Sequence, residues 1–379
     1  MREDFGTARE NPCMTCETSP CCWYLPLQTF EPTTYLDVDG LYKLMLFDRI
    51  ELGLSSTGAW SAYYVYPCRF LDRETHLCGV HETDLQPKTC VYYKPYGCWY
   101  RRVLSGPVND EFVRIDLARF REIAPMFKFD EDRRVVATPP WEKVKEICEL
   151  VAITEIDMGL PEEPSPDVEV FDAALANDAP DTSTADFLEV MADPCEPCPA
   201  PCCTYLSFPI GIPETWMSFD FMRFALGFPG TELGVADGGW WLTIATTCQH
   251  LDAETATCGV FGEPDRPLAC SYYNQWACGF RNEFLRPLPD GFARVRYEQL
   301  PMLSALFEFD PDGKVTHLPE VGEVHAALLM SWQQLISDAQ PGGPNSSDPT
   351  EAAEANGRPV IQFLAPAQGS EAWRLAVGG

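Results

Sequence analysis

Sixteen of the seventeen cysteines in this chain of 379 residues fall into two matching sets. The first set is Cys13, Cys16, Cys21, Cys22, Cys68, Cys78, Cys90 and Cys98. The second is Cys195, Cys198, Cys202, Cys203, Cys248, Cys258, Cys270 and Cys278. The last four of each set are separated by 180 residues, the vicinal pairs by 181 and the opening CxxC by 182. A CxxC lets two thiolates converge on one ion from a tight turn, as zinc and iron–sulfur sites both require. All-thiolate shells favour those metals over calcium or magnesium. Eight thiolates per copy match two four-cysteine shells. Adjacent side chains are expected to point to opposite sides, so Cys21–Cys22 and Cys202–Cys203 should serve two centres, or one centre with a thiolate to spare.

A disulfide framework is the competing use of so many cysteines. The opening Met1-Arg2-Glu3-Asp4-Phe5-Gly6 has no apolar signal region, and no run of 18 apolar residues could span a bilayer. The expected setting is therefore the cytoplasm, where thiols stay reduced. A net charge of −30 repels phosphate backbones and anionic lipid, so neither nucleic acid nor membrane is an expected partner.

Histidine adds little to the donor set. His76, His81, His250, His317 and His325 have no counterpart across the repeat, and they read as surface side chains rather than ligands. Catalytic zinc usually keeps histidine or carboxylate ligands, so a zinc hydrolase is disfavoured. GxGxxG, Walker, HExxH and GxSxG motifs are all missing, and no catalytic residue is assigned. Asp72/Glu74 and Asp252/Glu254 recur in both copies and read as turn chemistry. Arg101 and Arg281 recur three residues after the last cysteine, where a cation could neutralise thiolate charge. Trp23, Tyr24, Tyr92, Tyr93, Tyr96, Trp99 and Tyr100 crowd the first set. Tyr205, Trp240, Trp241, Tyr272, Tyr273 and Trp276 crowd the second. They would form a small core around a metal staple, or keep a centre dry.

The elements that must position these residues repeat as well. Each copy opens with a loop holding CxxC and the vicinal pair. A helix follows, over 34–52 and 214–226, and then a β-branched and aromatic strand over 60–66 and 240–246. The later cysteines sit in Gly- and Pro-containing loops, and a closing helix spans 141–153 and 321–336. Cys148, the unpaired seventeenth, lies on that helix with Val144, Ile147 and Val151 and reads as a core thiol. The fold class is α+β, as two tandem, metal-stapled, loop-rich modules. The modules are 1–150 and 191–338. Residues 151–190 are an acidic linker and 339–379 a flexible tail, in which Val360–Leu364 could form a docking strand.

The spacing resembles that of the YkgJ-type cysteine-cluster family, a CxxCxxxCC zinc- or iron-chelating domain. The second copy follows the pattern through Cys195-x2-Cys198-x3-Cys202-Cys203, Cys258-Gly-Val-Phe261 and Arg266-Pro267-x2-Cys270. The first departs from it: four residues precede Cys21, Gln86-Pro87 replaces Arg-Pro, and His81 stands where an aromatic is usual. The resemblance implies metal binding through Cys13, Cys16, Cys21, Cys22, Cys68, Cys78, Cys90 and their second-copy partners. Cys98 and Cys278 lie outside the family motif and rest on the repeat alone. Some members of that family are fused to modification machinery, so a redox or modification enzyme is the expected partner.

The leading expectation is an iron–sulfur protein carrying [4Fe–4S] clusters, with an electron-transfer or redox-accessory role. A zinc-stapled scaffold or adaptor is the alternative. Metal storage is disfavoured by the long fixed spacings and the 46% hydrophobic content. The better-matched second copy is the expected seat of any reactive chemistry.

Overall fold

The computed structural model describes residues 13, 16–93, 95–154, 198, 200–252, 254–273, 278–284 and 291–329. Cys195, nearly all of the 151–190 linker and the whole 339–379 tail lie outside them.

Alternation of apolar and polar residues, with aromatics opposite β-branched partners, builds a four-stranded antiparallel sheet in the first half. Its strands are β1 (Tyr24–Phe30), β2 (Ile50–Ser55), β3 (Trp60–Val65) and β4 (Phe112–Ile115), in the order β1-β3-β2-β4. Helix α1 (Tyr35–Met45) connects β1 to β2. Further along come the short helices α2 (Lys88–Val91) and α3 (Trp99–Leu104), then α4 (Leu117–Ile123), the hairpin β5 (Lys128–Phe129) with β6 (Val135–Ala137), and α5 (Trp141–Leu150). The second half repeats this plan. Strands β7 (Tyr205–Ile210), β8 (Thr231–Ala236) and β9 (Gly239–Ala245) surround helix α6 (Trp216–Leu226) in sequence. The small hairpin β10 (Leu251–Asp252) and β11 (Thr257–Cys258) precedes helices α7 (Leu268–Ser271) and α8 (Gly279–Phe284). Strand β12 (Ala293–Val295) completes the second sheet in the order β12-β8-β9-β7. Helix α9 (Leu300–Ala305), the hairpin β13 (Glu308–Phe309) with β14 (Val315–His317), and a closing helix α10 over 321–329 follow. The chain is mixed helix and sheet, as an α+β protein should be.

The expected helix over 34–52 is shorter than its apolar periodicity suggested. It ends at Met45, because Ile50, Leu52 and Leu54 belong to a strand buried on both faces. Ile50, Leu52 and Leu54 alternate with Glu51, Gly53 and Ser55 as a strand should, but Ile50 also fits a near-helical spacing with Leu41, Leu44 and Met45. Strands β1, β2, β7 and β8 were not expected from the sequence. Both long helices start on a capping box, Thr34 with Asp37 and Thr215 with Ser218. Each N-terminus is also tied to the module's late hairpin. The Tyr35 N–H donates to Arg133 O at 2.8 Å and the Trp216 N–H to Gly313 O at 2.7 Å.

One face of the first sheet packs on α1, α4 and α5 around Trp60, Phe120 and Cys148, the last 2% exposed as a core thiol should be. Arg119 is also 2% exposed there. Its guanidinium donates to Cys148 O at 2.7 Å, Val151 O at 2.8 Å and Arg114 O at 2.6 Å. It therefore satisfies carbonyls that the C-terminal end of α5 leaves open. The other face carries an aromatic cluster of Tyr24, Tyr63 and Phe112, with Trp23, Trp99 and Tyr100 packed against it. The same ion pair crosses both sheets: Glu51 with Arg114 at 2.7 Å, and Glu232 with Arg294 at 2.6 Å.

The largest core is shared between the halves. It joins Leu25, Phe47, Ile50, Tyr64 and Tyr66 of the first to the α6, β8 and β9 side chains of the second. The contacts across this junction are reciprocal. The Gln249 N–H donates to Leu46 O at 2.8 Å, and the Arg69 N–H to Gly227 O at 2.8 Å. In each case the residue after a cysteine, Cys248 or Cys68, meets the C-terminal end of the opposite half's long helix.

Candidate metal centre

Each vicinal pair sits in a single 3₁₀ turn, Pro20–Cys22 or Pro201–Cys203. The residue before it is left-handed: Ser19 has φ 37° and Ala200 has φ 54°. The expectation that these neighbours diverge is corrected here. In the turn their thiols hydrogen-bond to each other, Cys21 to Cys22 and Cys202 to Cys203. Opposite projection belongs to extended backbone, and a 3₁₀ turn is not extended.

Strand pairing then delivers the fifth cysteine. The β1–β3 ladder ends with the Cys68 N–H donating to Cys22 O at 2.7 Å, and the β7–β9 ladder with Cys248 donating to Cys203 O at 2.8 Å. Residues far apart in sequence thus become neighbours, because β1 and β3 are antiparallel. A tight turn brings the sixth. The Gly79 N–H donates to Phe70 O at 2.7 Å beside Cys78, and Gly259 to His250 O at 2.8 Å beside Cys258. That turn is closed by Asp72 and Asp252. Each carboxylate accepts two backbone N–H bonds, from Glu74 and Thr75 and from Glu254 and Thr255. The seventh cysteine rides on α2 or α7, each directly after a proline. The eighth stands at the start of α3 or α8. The Cys98 sulfur accepts the Arg101 N–H at 3.3 Å and hydrogen-bonds Tyr93, as Cys278 does with Tyr273.

Electrostatics shows which thiols share one environment. Cys90 feels Cys21, Cys68 and Cys78, while Cys13 feels Cys21, Cys98 and Cys16. In the second half Cys202, Cys203 and Cys248 form a hydrogen-bonded chain, and Cys270 lies within reach of Cys202 and Cys248. Burial, with neighbouring thiolates adding to it, pushes Cys13 up to about 11; burial does the same to Cys68. It takes Cys90 still higher. The vicinal pairs follow another rule in both halves: the hydrogen bond between Cys21 and Cys22 lowers Cys21 and raises Cys22, and the second half extends this to a third thiol. Cys203 hydrogen-bonds to both flanking thiols, which holds Cys202 at about 6 and Cys248 at about 7 and drives Cys203 far up. Behind that hydrogen bond, Lys43 also lowers Cys202 and Cys248.

The sixteen described cysteines are all free thiols. Among the described residues, no group of three or more Cys, His, Asp or Glu side chains already stands in a metal-holding arrangement. The donors nonetheless fit a thiophilic metal by their chemistry: several soft sulfurs in each half lie close enough to bond or to repel one another. No family model, curated protein or solved structure matches the chain.

The aromatics and histidines divide. Trp99 and Tyr100 cover the thiol side of the first sheet, whereas Tyr96 and Tyr272 are 64% and 69% exposed and shield little. All five histidines are partly exposed. His76 and His250 each bury a ring nitrogen, Nδ1 and Nε2, with no hydrogen-bond partner. Arg101 is within reach of Cys13, as a neutralising cation should be; the Arg281 side chain lies outside the described residues.

Sequence reading missed the residues that reach each thiol set from the opposite half. Asp39 of α1 accepts the Ala269 N–H at 3.0 Å, beside Cys270. Asp220 of α6 accepts the Thr89 N–H at 2.9 Å, beside Cys90. Both occupy the fifth residue of their helix, a correspondence the repeat alignment contained but which pointed to no contact. Asp220 pairs with Arg223 at 2.8 Å, each side chain 2% exposed, and the Arg223 guanidinium donates to Gln86 O at 2.8 Å. Burial pushes the Asp220 carboxyl up, against the pull of Arg223 and Thr89.

Proposed function

We propose that this chain is a metal-binding protein whose two cysteine sets hold all-thiolate centres, carrying [4Fe–4S] clusters in an electron-transfer or redox-accessory role. One observation carries the reading. In each half, thiols from separate loops are drawn toward one another by the sheet register, the 3₁₀ turn and the cysteine-bearing helix. A core needs no such gathering of sulfur, and burying thiols beside thiolates is unfavourable without a cation to share. The resemblance to the YkgJ-type family and a reducing cytoplasmic setting belong to the same proposal.

In this reading, Cys21, Cys22, Cys68, Cys78 and Cys90, with Cys202, Cys203, Cys248 and Cys270 in the second half, are donors that share one environment beside each sheet. Cys13, Cys16 and Cys98 reach the first set from its other side through Cys21, and the remaining second-copy cysteines join by the repeat. A bound cluster would supply one-electron redox chemistry. The chain's own work is to orient the sulfurs, to exclude water with Trp99 and Tyr100, and to place charge around the site. Because the described donors are gathered without a closed shell, loading should draw the loops inward and order them.

Anaerobic purification with iron, sulfide and zinc analysis and a visible spectrum tests this. Iron and sulfide in equal amounts, with sulfur-to-iron charge-transfer absorbance, are expected. A colourless chain with stoichiometric zinc would replace the redox role by a zinc-stapled scaffold, and a chain that binds neither metal would end the proposal.

A further inference from the structure

The two halves supply one another's surroundings, and they do so with unequal charge. Helix α1 lies along the Cys270 segment, anchored by the Asp39 bond to Ala269. Lys43 follows Asp39 by four residues, so it is the next side chain on that same face of the helix. Among the described residues no carboxylate forms an ion pair with Lys43. The same segment carries Arg266, whose guanidinium donates to Cys270 O at 3.0 Å and stacks on Phe261 at 4.3 Å. The first centre has the opposite arrangement. The α6 cation facing it, Arg223, is neutralised by Asp220 at 2.8 Å. Gln86 stands where the second half has Arg266. Arg69, beside Cys68, is neutralised by Glu298 at 2.6 Å.

We propose that Lys43, borne on the first module, is the charge-setting residue of the second module's thiol centre, and that the first centre lacks its counterpart, because Phe224 stands at the corresponding position of α6 and the adjacent Arg223 is neutralised by Asp220. This rests on the thiolate-centre reading above. A four-thiolate shell around a divalent ion keeps excess negative charge, and a partly buried ammonium nearby lowers the cost of assembling it. The consequence is an ordering of the two centres. The second holds metal more tightly, and its sulfurs carry less of the negative field that would repel an incoming electron. The first is the weaker and more electron-rich site. The asymmetry comes from the junction between the modules, so neither centre keeps its properties without the other half.

The test uses the full chain, made metal-free under reductant and titrated with Co²⁺ or Zn²⁺ as probe. Alkylation followed by mass spectrometry reads the protection of Cys248 and Cys270 separately from that of Cys68 and Cys90. In the wild-type chain the second set should be protected at lower metal than the first. Lys43→Gln should raise the second set's midpoint about tenfold, the effect of one nearby charge, and leave the first set in place. Lys43→Arg should restore it. Unchanged midpoints for the second set would overturn the assignment, as would an equal shift of both sets, which would mark a general loss of structure. Circular dichroism of the metal-free variants guards against that last case. If no cysteine is protected and Co²⁺ develops no sulfur charge-transfer band even in the wild-type chain, the thiolate-centre reading itself fails, and this inference falls with it.

Discussion

Asp220→Ala should uncouple the two halves, and its cost can be worked from the contacts. The carboxylate and the Arg223 guanidinium are each 2% exposed and 2.8 Å apart. Burial already raises the Asp220 carboxyl, so the pair as a whole is no better than an apolar pair of the same shape. The loss comes from stranding its partners. A buried guanidinium without its counter-charge costs about 3–5 kcal/mol. The Thr89 N–H, now bonded at 2.9 Å, loses a charged acceptor worth about 1.5–3 kcal/mol. Arg223 keeps its bond to Gln86 O, which places the total near the low end of the summed range, about 4–5 kcal/mol. Asp39→Ala is the internal control. Asp39 is only half-buried and accepts one backbone N–H, so about 1 kcal/mol is expected. Urea unfolding of the metal-free chain, followed by tryptophan fluorescence, measures both. The reasoning fails if Asp220→Ala costs no more than Asp39→Ala, because the buried pair would then contribute nothing to the junction.

Two further outcomes follow from the same geometry. Gly53 and Gly234 hold corresponding positions in the two sheets, and a Cβ on them would come within 2.0 Å of the Phe112 ring and 2.4 Å of the Phe292 ring. Gly53→Ala and Gly234→Ala should each cost about 1–3 kcal/mol by overpacking, and a thermal melt within experimental error of wild type would refute that. In the metal-free chain, Cys202 is held at about 6 by its hydrogen bond to Cys203, so it is a thiolate above that pH and is lost as the pH falls through it. Its alkylation at pH 7 should outpace that of Cys203 by at least tenfold and fall below pH 6; equal rates for the two neighbours would sink the assignment.

Much of this protein was legible in the order of its residues. The repeat, the sixteen paired cysteines, the α+β character and the core placement of Cys148 all follow from spacing and local periodicity, which reach only a few residues along the chain. Asp72 and Asp252 as turn-closing residues follow for the same reason, since an Asx turn binds backbone two or three residues on. What lies beyond that range was decided by tertiary structure. Ile50 of β2 fitted a helical spacing with Leu41, Leu44 and Met45, and only pairing with β3 and β4 fixed it in the sheet. The vicinal thiols converged because the backbone there is a 3₁₀ turn, and no side-chain pattern announces it. Asp39 and Asp220 meet their partners across 230 and 131 residues, so nothing in local sequence marks them as neighbours of cysteine. The sixteen cysteines were there to be counted from the start. Which charges surround each set was settled only when two copies of one module packed face to face, each with its long helix on the other's cysteine loops.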